Sequence, residues 1–466
     1  MNNKNILLSF TLFVFLCWRT CHSFFPKIPS FLKKNIKIDV TIPIPIHQLS
    51  KTDQTTIKKI TGFYGLLGPY KGYKKAGSLY ELFLSDGIIQ GMFFQNGNLT
   101  FIKHLIRTEK VKLEENLGAR FRMTPVLRFI FMTLHNLGMM PNMLGVANTA
   151  LMHYFNQTYA LFEYDKPYLI DINMENTTVN TIKYMNNLPR FSAHSKHNGS
   201  IIETIDYDSL KKEIFYYQFM PPRFSNISIE SNLTIHKKHH ISTYYTPVTH
   251  DFISLNESIL IMDSPMVLSM NKMPPIFLDK NSSTYFYLLN KEYGYYHVYR
   301  FKQGLYLFHY SQYRENLDTV EFYGSFYDSI DFEKYDIQGK YRKVIIHKKT
   351  NNVTVVKNDV LENLNLDFPM KIDDKKILLV QLENSKMVGF VILQDFTIYK
   401  KVLMKDKYIC GEPRVIFIEK IPYFLCFLTD NNDAGSLFLM NLKSFSRIEI
   451  PIPNTKMHTG FHSMFI

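Results

Sequence analysis

Short runs of β-branched and aromatic residues recur along most of the chain, with Gly, Asn, Asp or Pro between many of them. Strands with turn residues at intervals of roughly 8–12 residues are typical of a β-sandwich, barrel or propeller. No sharp repeat fixes the number of sheets, and no linker-like stretch divides the pattern. The chain is therefore predicted to be all-β, with residues 58–466 forming one domain. The clearest runs are 91–94, 98–102, 259–262, 285–289, 304–310, 343–347, 377–382 and 388–393.

The segment 120–144 departs from this pattern. Its high content of Leu, Met and Phe, with few β-branched residues, favours a helix after Pro125. Arg128 and His135 make it a poor candidate for a helix that crosses a membrane. Two interpretations stay open: a helix packed on the β-sheets, or an interfacial helix whose apolar face enters a bilayer. Because nearby arginines suit lipid headgroups, 120–144 is a candidate contact with a membrane surface.

The first 23 residues are predicted to be a secretory signal peptide. Lys4 precedes an apolar stretch over 6–18, and small residues close the segment near Ser23. The apolar stretch is short for a membrane span of about 20 residues. Residues 24–57 form a basic N-terminal arm or a transit-like segment. We therefore expect the chain to enter the secretory pathway, ending outside the cell, in an endomembrane lumen, or in a plastid reached through that route.

The formal net charge of +13 predicts a basic surface, which is typical of proteins that contact nucleic acid or anionic lipid. No segment resembles a nucleic-acid-binding module, so lipid is the favoured partner and no nucleic acid is expected. Hydrophobic residues make up 46% of the chain, enough for a large buried core. Beyond the signal peptide, Cys410 and Cys426 are the remaining cysteines. They could bridge neighbouring strands, but two cysteines define no disulfide framework.

Four histidines, His194, His250, His309 and His462, lie in short apolar or turn-bounded stretches separated by 56, 59 and 153 residues. Such intervals approximate whole sheets, so the side chains would meet only at the axis of a radially repeating β-architecture. Neutral imidazoles that converge there would hold a transition metal.

Two other groups of histidines need a separate interpretation. The tract 236–240 is predicted to be a solvated basic loop, because its lysines would repel a cation. His194 and His197 are three residues apart, but a turn is predicted around them. Only one of the two is therefore expected to be a ligand.

The sequence around these histidines resembles that of the carotenoid cleavage oxygenases, which include the retinoid isomerase of the retinal pigment epithelium. The resemblance extends from about Thr61 to Ile466. It includes an Asp-Gly segment over 84–110 and ANTALMHYFNQTYALFEYDKPY over 147–168. The motifs SAHSK, THDF, LFHYSQYREN and GFHSMFI then follow in the family's order and contain the four histidines.

The resemblance implies a seven-bladed β-propeller with a few helices capping one face. It also implies one Fe(II) per chain, bound by His194, His250, His309 and His462. Three carboxylates would orient the ligand imidazoles; they match Glu163, Glu412 and Asp367.

The contacts expected of Asp367 and Thr149 are less direct than those of the other implied site residues. Asp367 stands where the family has glutamate and is one methylene shorter, so its bond to His309 is expected to be long or water-bridged. Thr149 matches a threonine near the open side of the iron in some members. The alternative is a strand threonine whose hydroxyl bonds to the backbone.

The implied activity is that of a non-haem Fe(II) dioxygenase. It would use O2 to cleave a conjugated double bond of a carotenoid or apocarotenoid, a lipophilic polyene taken from a membrane, giving two carbonyl products. One alternative is retinoid isomerisation, ester cleavage or stilbene cleavage on the same iron. Another is a propeller that binds an isoprenoid without catalysis, since the sequence departs from the family pattern at Asp367 and over 310–315. A purely structural propeller, with no metal, is a third.

Overall fold

The structure is a computed structural model, and it describes residues 38–70, 78–116, 145–154, 156–209, 211–220, 233–268, 276–330, 332 and 337–466. The predicted signal peptide over 1–23 and the predicted helix over 120–144 lie outside these residues. Among the residues described, strands predominate and the helices are short. Each of the eight runs predicted as strands overlaps a strand, so the all-β prediction is confirmed. No helix among them is both long and apolar enough to cross a membrane.

The strands pair in antiparallel sheets, here named A to F, each given in the order in which its strands are hydrogen-bonded. Sheet A contains β1 (Val40–Ile44), β4 (Asn98–Leu105), β3 (Asp86–Gln95), β2 (Gly62–Tyr70) and β32 (His462–Phe465). Sheet B contains β5 (Ala150–Tyr154), β6 (Gln157–Phe162), β7 (Asp165–Asn173) and β8 (Thr178–Tyr184). Sheet C contains β12 (Thr234–Ser242), β11 (Glu213–Met220), β10 (Ile201–Asp208) and β9 (Lys196–Asn198).

The second half of the chain continues in the same way. Sheet D contains β13 (Ile253–Ser254), β14 (Ser258–Asp263), β17 (Thr284–Asn290) and β18 (Tyr296–Phe301), and a separate ribbon pairs β15 (Met266–Leu268) with β16 (Ile276–Leu278). Sheet E contains β19 (Tyr306–Glu315), β20 (Thr319–Tyr327), β21 (Lys340–His347) and β22 (Asn352–Val356).

Sheet F is the largest and has two halves. The first half contains β23 (Leu366–Lys371), β24 (Lys376–Glu383), β25 (Lys386–Gln394) and β26 (Thr397–Leu403). The second half contains β28 (Arg414–Ile418), β29 (Ile421–Thr429), β30 (Ala434–Asn441) and β31 (Arg447–Lys456). The short strand β27 (Tyr408–Ile409) pairs with both β25 and β29 and joins the halves.

The described helices are α1 (Lys51–Lys58), α2 (Leu79–Phe83), α3 (Glu109–Asn116) and α4 (Asp359–Glu362). Ser50 caps α1, because its Oγ accepts a hydrogen bond of 3.1 Å from the backbone N–H of Asp53. Strand β1 and most of α1 fall within 24–57, the predicted basic arm. Because β1 pairs with β4, part of that segment belongs to sheet A.

Seven apolar clusters of the described residues each join two groups of strands. They pair Phe63 with Tyr168 between A and B, Tyr159 with Tyr217 between B and C, Ile205 with Ile259 between C and D, Phe286 with Phe322 between D and E, Tyr341 with Leu379 between E and F, Phe390 with Phe424 between the halves of F, and Phe427 with Tyr64 between F and A. Each sheet therefore packs on its neighbours in chain order, and sheet F packs on sheet A.

The prediction for the histidine tract 236–240 is wrong in its secondary structure. It was predicted to be a loop, but it lies within β12, an edge strand of sheet C. The strand pairs with β11, where Lys238 lies over the rings of Phe215 and Tyr217. These contacts accommodate basic side chains on a strand whose residues are mostly exposed.

A buried ion pair joins sheets C and D. The Nζ of Lys291 lies 2.8 Å from Oε1 of Glu203 and donates to the carbonyl of Leu255 at 2.6 Å. Tyr216 donates to the same glutamate oxygen at 2.8 Å. Burial alone would raise the pKa of Glu203, but hydrogen bonds from Lys291 and Ser254 lower it below its usual value. The carboxylate is therefore charged and fully paired.

We expect the Lys291→Met variant to lose about 3–5 kcal/mol of unfolding free energy, because Glu203 would stay buried without its partner. In the wild type the depressed pKa of Glu203 contributes stability above the pKa of the unfolded chain. That contribution is lost as the pH falls through the folded-state pKa. Urea unfolding at several pH values measures both effects, with exposed Lys302→Met as the control. A loss under about 1 kcal/mol, typical of an exposed pair, would contradict this expectation.

Candidate metal centre

The structure brings the four predicted histidines together from four different sheets. His194 precedes β9, His250 precedes β13, His309 lies in β19 and His462 begins β32. One nitrogen of each lies within 4.8 Å of the corresponding nitrogens of the others. The ring centroids are 4.3–5.3 Å apart. His197 lies in β9, not in the predicted turn, and is not in this group, in line with the expectation that only one of His194 and His197 would be a ligand.

The orientation of the rings fits a bound cation. The Nε2 atoms of His250 and His309 lie 3.2 and 3.5 Å from Nε2 of His462. The Nε2 of His194 is buried without a hydrogen-bond partner. His250 and His309 direct Nδ1 at carboxylates, which accept hydrogen bonds, so we assign the proton to Nδ1 and a lone pair to Nε2. An ion between these nitrogens would be held by imidazole lone pairs, and imidazole ligands favour Zn, Cu, Fe or Ni.

Three carboxylates lie behind the histidines. Glu163 Oε1 is 2.5 Å from His250 Nδ1, and Asp367 Oδ1 is 2.7 Å from His309 Nδ1. The expectation of a long or water-bridged bond from Asp367 is therefore wrong. Asp367 precedes a β-bulge in β23, where Phe368 adopts a φ of 52°, and such a bulge re-aims the side chain. The shorter aspartate thus reaches the imidazole directly.

The long contact is found at the third carboxylate. Oε2 of Glu412 lies 3.6 Å from His462 Nδ1, which has no hydrogen-bond partner. The same oxygen accepts the backbone N–H of Ser463 at 2.9 Å and lies 3.6 Å from Nη2 of Arg414. Glu412 is therefore held mainly by the backbone of β32 and by Arg414, a residue that the sequence did not single out.

Burial and neighbouring charges shift the pKa values of the histidines and carboxylates of the centre in different directions. Burial and the neighbouring histidines lower the pKa of His194 well below its usual value. Burial lowers the pKa of His462 to about 4, although Glu412 opposes this. Burial would also lower the pKa of His309, but Asp367 more than offsets it and raises that pKa. Burial would raise the pKa of Glu412, yet Arg414 and His462 lower it to about 2. Burial would likewise raise the pKa values of Glu163 and Asp367, but His250 and His309 lower them below their usual values, so the three carboxylates are anionic near neutral pH and would compensate a bound dication.

Thr149 contacts the carboxylate network rather than the backbone. Its Oγ1 lies 3.3 Å from Oε2 of Glu163 and 3.2 Å from Oδ1 of Asn148. Asn148 in turn donates to the carbonyls of Phe83 and Ser85. Because the hydroxyl has one proton, it donates to one of the two acceptors at a time. The interpretation as a threonine satisfied by the backbone is therefore not supported.

Asp251 was missed by the sequence analysis and connects three of the histidine segments. Its Oδ1 accepts from Lys196 Nζ at 2.5 Å and from the backbone N–H of Phe252 at 2.7 Å. Its Oδ2 accepts the backbone N–H of Tyr310 at 3.0 Å. The only signal in the sequence was an acidic residue directly after His250. One buried carboxylate thereby fixes the chain next to three candidate ligands.

We expect Asp251→Asn to weaken metal binding by roughly tenfold, the lower end of the range for residues that orient ligands. The amide can accept one backbone N–H but cannot pair with Lys196. Competition with a chelator measures the affinity, and exposed Asp318→Asn is the control. An affinity equal to that of the wild type would show that Asp251 does not position the histidines.

Aromatic rings cover part of the centre. Phe308 lies with its ring 5.6 Å from that of His250, and Phe368 lies 4.9 Å from His309. Phe83 extends this apolar surface, because its ring is 6.4 Å from Phe308 and 5.5 Å from Phe461. These rings form an apolar surface beside His250 and His309.

A polar cavity of about 800 Å³ borders the centre, with His194 in its lining. Its lining comes from the ends of α1 and β32 and from β5, β9 and β28. The lining residues fall in the ranges 59–61, 151–153, 193–197, 414–418 and 464–466.

Comparisons with known proteins identify the relatives of this chain. The family model described as retinal pigment epithelial membrane protein matches residues 58–378. The chain is 25% identical over 261 residues to carotenoid 9,10(9',10')-cleavage dioxygenase 1 of Arabidopsis thaliana, covering 50% of this chain and 47% of that protein. It is also 25% identical over 228 residues to the enzyme of the same name from Phaseolus vulgaris, with 46% and 40% covered. The chain thus spans about half the length of the curated relatives it matches.

Solved structures show the same fold. Cobalt-substituted apocarotenoid oxygenase from Synechocystis superposes with a TM-score of 0.71 at 13% identity, covering 92% of this chain and 96% of that one. Lignostilbene dioxygenase from Pseudomonas brassicacearum superposes with a TM-score of 0.72 at 13% identity, with 95% and 99% covered. Because the family model matches well over half of the sequence, this chain belongs to the carotenoid cleavage oxygenase family, as its histidine motifs predict.

Proposed function

We propose that this protein is a mononuclear non-haem iron oxygenase that cleaves a conjugated double bond of a carotenoid or apocarotenoid into two carbonyl products. The convergence of four imidazoles from four sheets is the observation that carries the proposal. His194, His250, His309 and His462 would hold one Fe(II) per chain. Family membership supports this assignment, and so do the names of relatives that cleave carotenoids. Bound iron would supply the activation of O2 next to the polyene.

The carboxylates of this chain would orient the ligands. Glu163 and Asp367 accept the Nδ1 protons of His250 and His309, which fixes the tautomer that directs Nε2 inward. Glu412 contributes mainly charge, since its contact with His462 is long. Thr149 would act through Glu163 as a positioning residue.

The aromatic surface would select the bond that is cleaved. Phe83, Phe308 and Phe461 form an apolar wall beside the histidines, against which a polyene packs without losing hydrogen bonds. The polyene has no charged group that could fix its position. How far it extends along this wall would therefore decide which of its double bonds lies at the metal. A misplacement of about 1 Å is enough to lower the rate of such a reaction strongly.

The architecture proposed for this activity is a seven-bladed β-propeller over 58–466, with a few helices capping one face. Sheets A to E would each be one blade and the two halves of sheet F would be two more. The support is the set of apolar clusters that join these units in chain order and join F to A. Such an arrangement would place β9, β13, β19 and β32 around one axis.

The cellular location is a proposal that rests on sequence features alone. The segment 1–23 would direct the chain into the secretory pathway, and 120–144 would contact the membrane from which the polyene is taken. Secretion and delivery to a plastid both stay compatible with the basic stretch that follows residue 23.

Incubation of iron-loaded protein with a panel of polyenes tests the activity. Carotenoids, apocarotenals, a retinyl ester and a stilbene should be compared under isotopically labelled O2, and the products resolved by mass. We expect labelled aldehydes or ketones from one or more carotenoid substrates, and none from the His250→Ala variant. Unlabelled geometric isomers would instead indicate an isomerase, and labelled benzaldehydes a stilbene oxygenase. Folded protein that binds a polyene but no metal would indicate a non-catalytic carrier.

A further inference from the structure

The cavity at His194 contains two imidazoles that the proposed site does not use. His197 is exposed, His153 on β5 is half-buried, and His194 has its Nε2 fully buried. Among the described lining residues, His194 is the one member of the four-histidine centre. The cavity is therefore open to solvent and lined by three imidazoles, of which His194 belongs to the centre.

The charges along this cavity do not exclude a cation. Three lining residues are cationic, but each has a carboxylate partner: Glu419 lies 2.7 Å from Lys59, Asp251 lies 2.5 Å from Lys196, and Glu412 lies 3.6 Å from Arg414. Because each positive charge has a carboxylate beside it, the lining does not strongly repel a cation that enters the cavity.

The two extra imidazoles are available as ligands. Burial lowers the pKa of His153, and burial together with His153 lowers the pKa of His197. Both rings are therefore neutral near pH 7, the form that binds transition metals. His153 contacts the Thr158 hydroxyl through Nδ1 at 3.0 Å, which leaves its Nε2 for another partner.

The aromatic side of the centre is a poor route for a metal ion. Phe308 and Phe368 lie against the ligand histidines, and Phe461 adjoins His462 in sequence. A dication that crossed these rings would lose its water without gaining donors, which is costly. The polar cavity offers donors along its length.

We propose that His197 and His153 capture a divalent transition metal ion from solvent and pass it to His194, so that the cavity is the loading route of the four-histidine centre. This inference rests on the metal centre proposed above. Each step exchanges a water or an imidazole for another neutral imidazole on the ion. The oxidation state and the charge of the ion therefore stay unchanged.

Uptake of Co(II) by metal-free protein, followed by its visible absorption, tests the route. We expect the His153→Gln/His197→Gln double variant to load about tenfold more slowly, near the low end of what guided association contributes. Its final occupancy should equal that of the wild type, since the four ligands are intact. Release to a chelator should slow by the same factor, because a change in the path alone leaves the equilibrium unchanged. The matched control is His236→Gln/His240→Gln, which removes two exposed imidazoles from β12.

The same Co(II) experiment distinguishes failure of the metal centre from failure of the loading route. Wild-type protein that takes up no Co(II) would overturn the metal centre and the route together. Wild-type protein that loads normally, with a double variant that loads and releases at the same rates, would overturn the route alone. Equal slowing in the β12 control would also overturn it. If the double variant fails to fold, the single His197→Gln variant, altered at an exposed position, gives the same comparison.

Discussion

Replacing His462 by alanine is expected to abolish stoichiometric iron binding and all polyene cleavage while the sheets stay folded. The Nε2 of His462 lies 3.2 Å from that of His250 and 3.5 Å from that of His309, so its loss leaves three imidazoles around an open centre. The loss of affinity should exceed the roughly 10–100-fold typical of removing a residue that merely orients a ligand. Elemental analysis of iron-loaded protein measures the occupancy, and circular dichroism checks the fold.

His458→Ala is the matched control for this variant. His458 lies four residues earlier in the same terminal segment, with its ring against Tyr70 and outside the four-histidine group. It should retain iron and activity. If His462→Ala still bound one iron per chain with wild-type affinity, the four-histidine centre would not be the iron site.

Replacing Asp367 by alanine is expected to lower iron affinity by about 100-fold, the upper end of the same range. The substitution removes the acceptor of the His309 Nδ1 proton, which would free the ring to rotate or change tautomer. It also leaves the buried Tyr327 hydroxyl without the acceptor that it contacts at 2.5 Å, so the protein should lose about 1–3 kcal/mol of stability. Chelator competition and thermal unfolding measure the two losses separately.

Asp367→Asn separates the charge of this residue from its contact. The amide oxygen can still accept the His309 proton, but it contributes no negative charge to the centre. We expect an affinity between those of the wild type and the alanine variant. If the alanine variant bound iron as tightly as the wild type, the short contact between Asp367 and His309 would have no role in holding the metal.

The all-β class could be predicted because short apolar runs between turn residues are a local property of the sequence. The grouping of strands could not, since sheets A to F share no repeat and their contacts depend on which faces pack together. The four histidines illustrate the same limit. Each lies in or just before a strand of a different sheet, so no spacing along one strand or helix connects them, and the resemblance to a family was needed to choose four of sixteen.

The hydrogen bonds and ion pairs that hold the ligand histidines could not be predicted from the sequence. The direct bond from Asp367 depends on a bulge and on a positive φ at Phe368, an unusual conformation for a bulky residue. Asp251 and Arg414 act through contacts with distant segments, so neither has a recognisable spacing. In contrast, the expectation that only one of His194 and His197 would be a ligand agrees with the four-histidine group, although His197 lies in β9 and not in a turn.

The four ligands come from distant parts of the chain, so the metal centre becomes complete only late in synthesis. A ribosome-bound fragment that ends before residue 462 lacks both the fourth imidazole and β32, which pairs with β2 to complete the first sheet. The complete four-histidine centre therefore cannot form during the early stages of folding, which rely on contacts between residues far apart in sequence and are slow for such topologies. Iron would instead be acquired by an already assembled protein, and it would then lock the first sheet to the later ones. Starving cells of iron should thus yield folded, metal-free protein rather than aggregated chains.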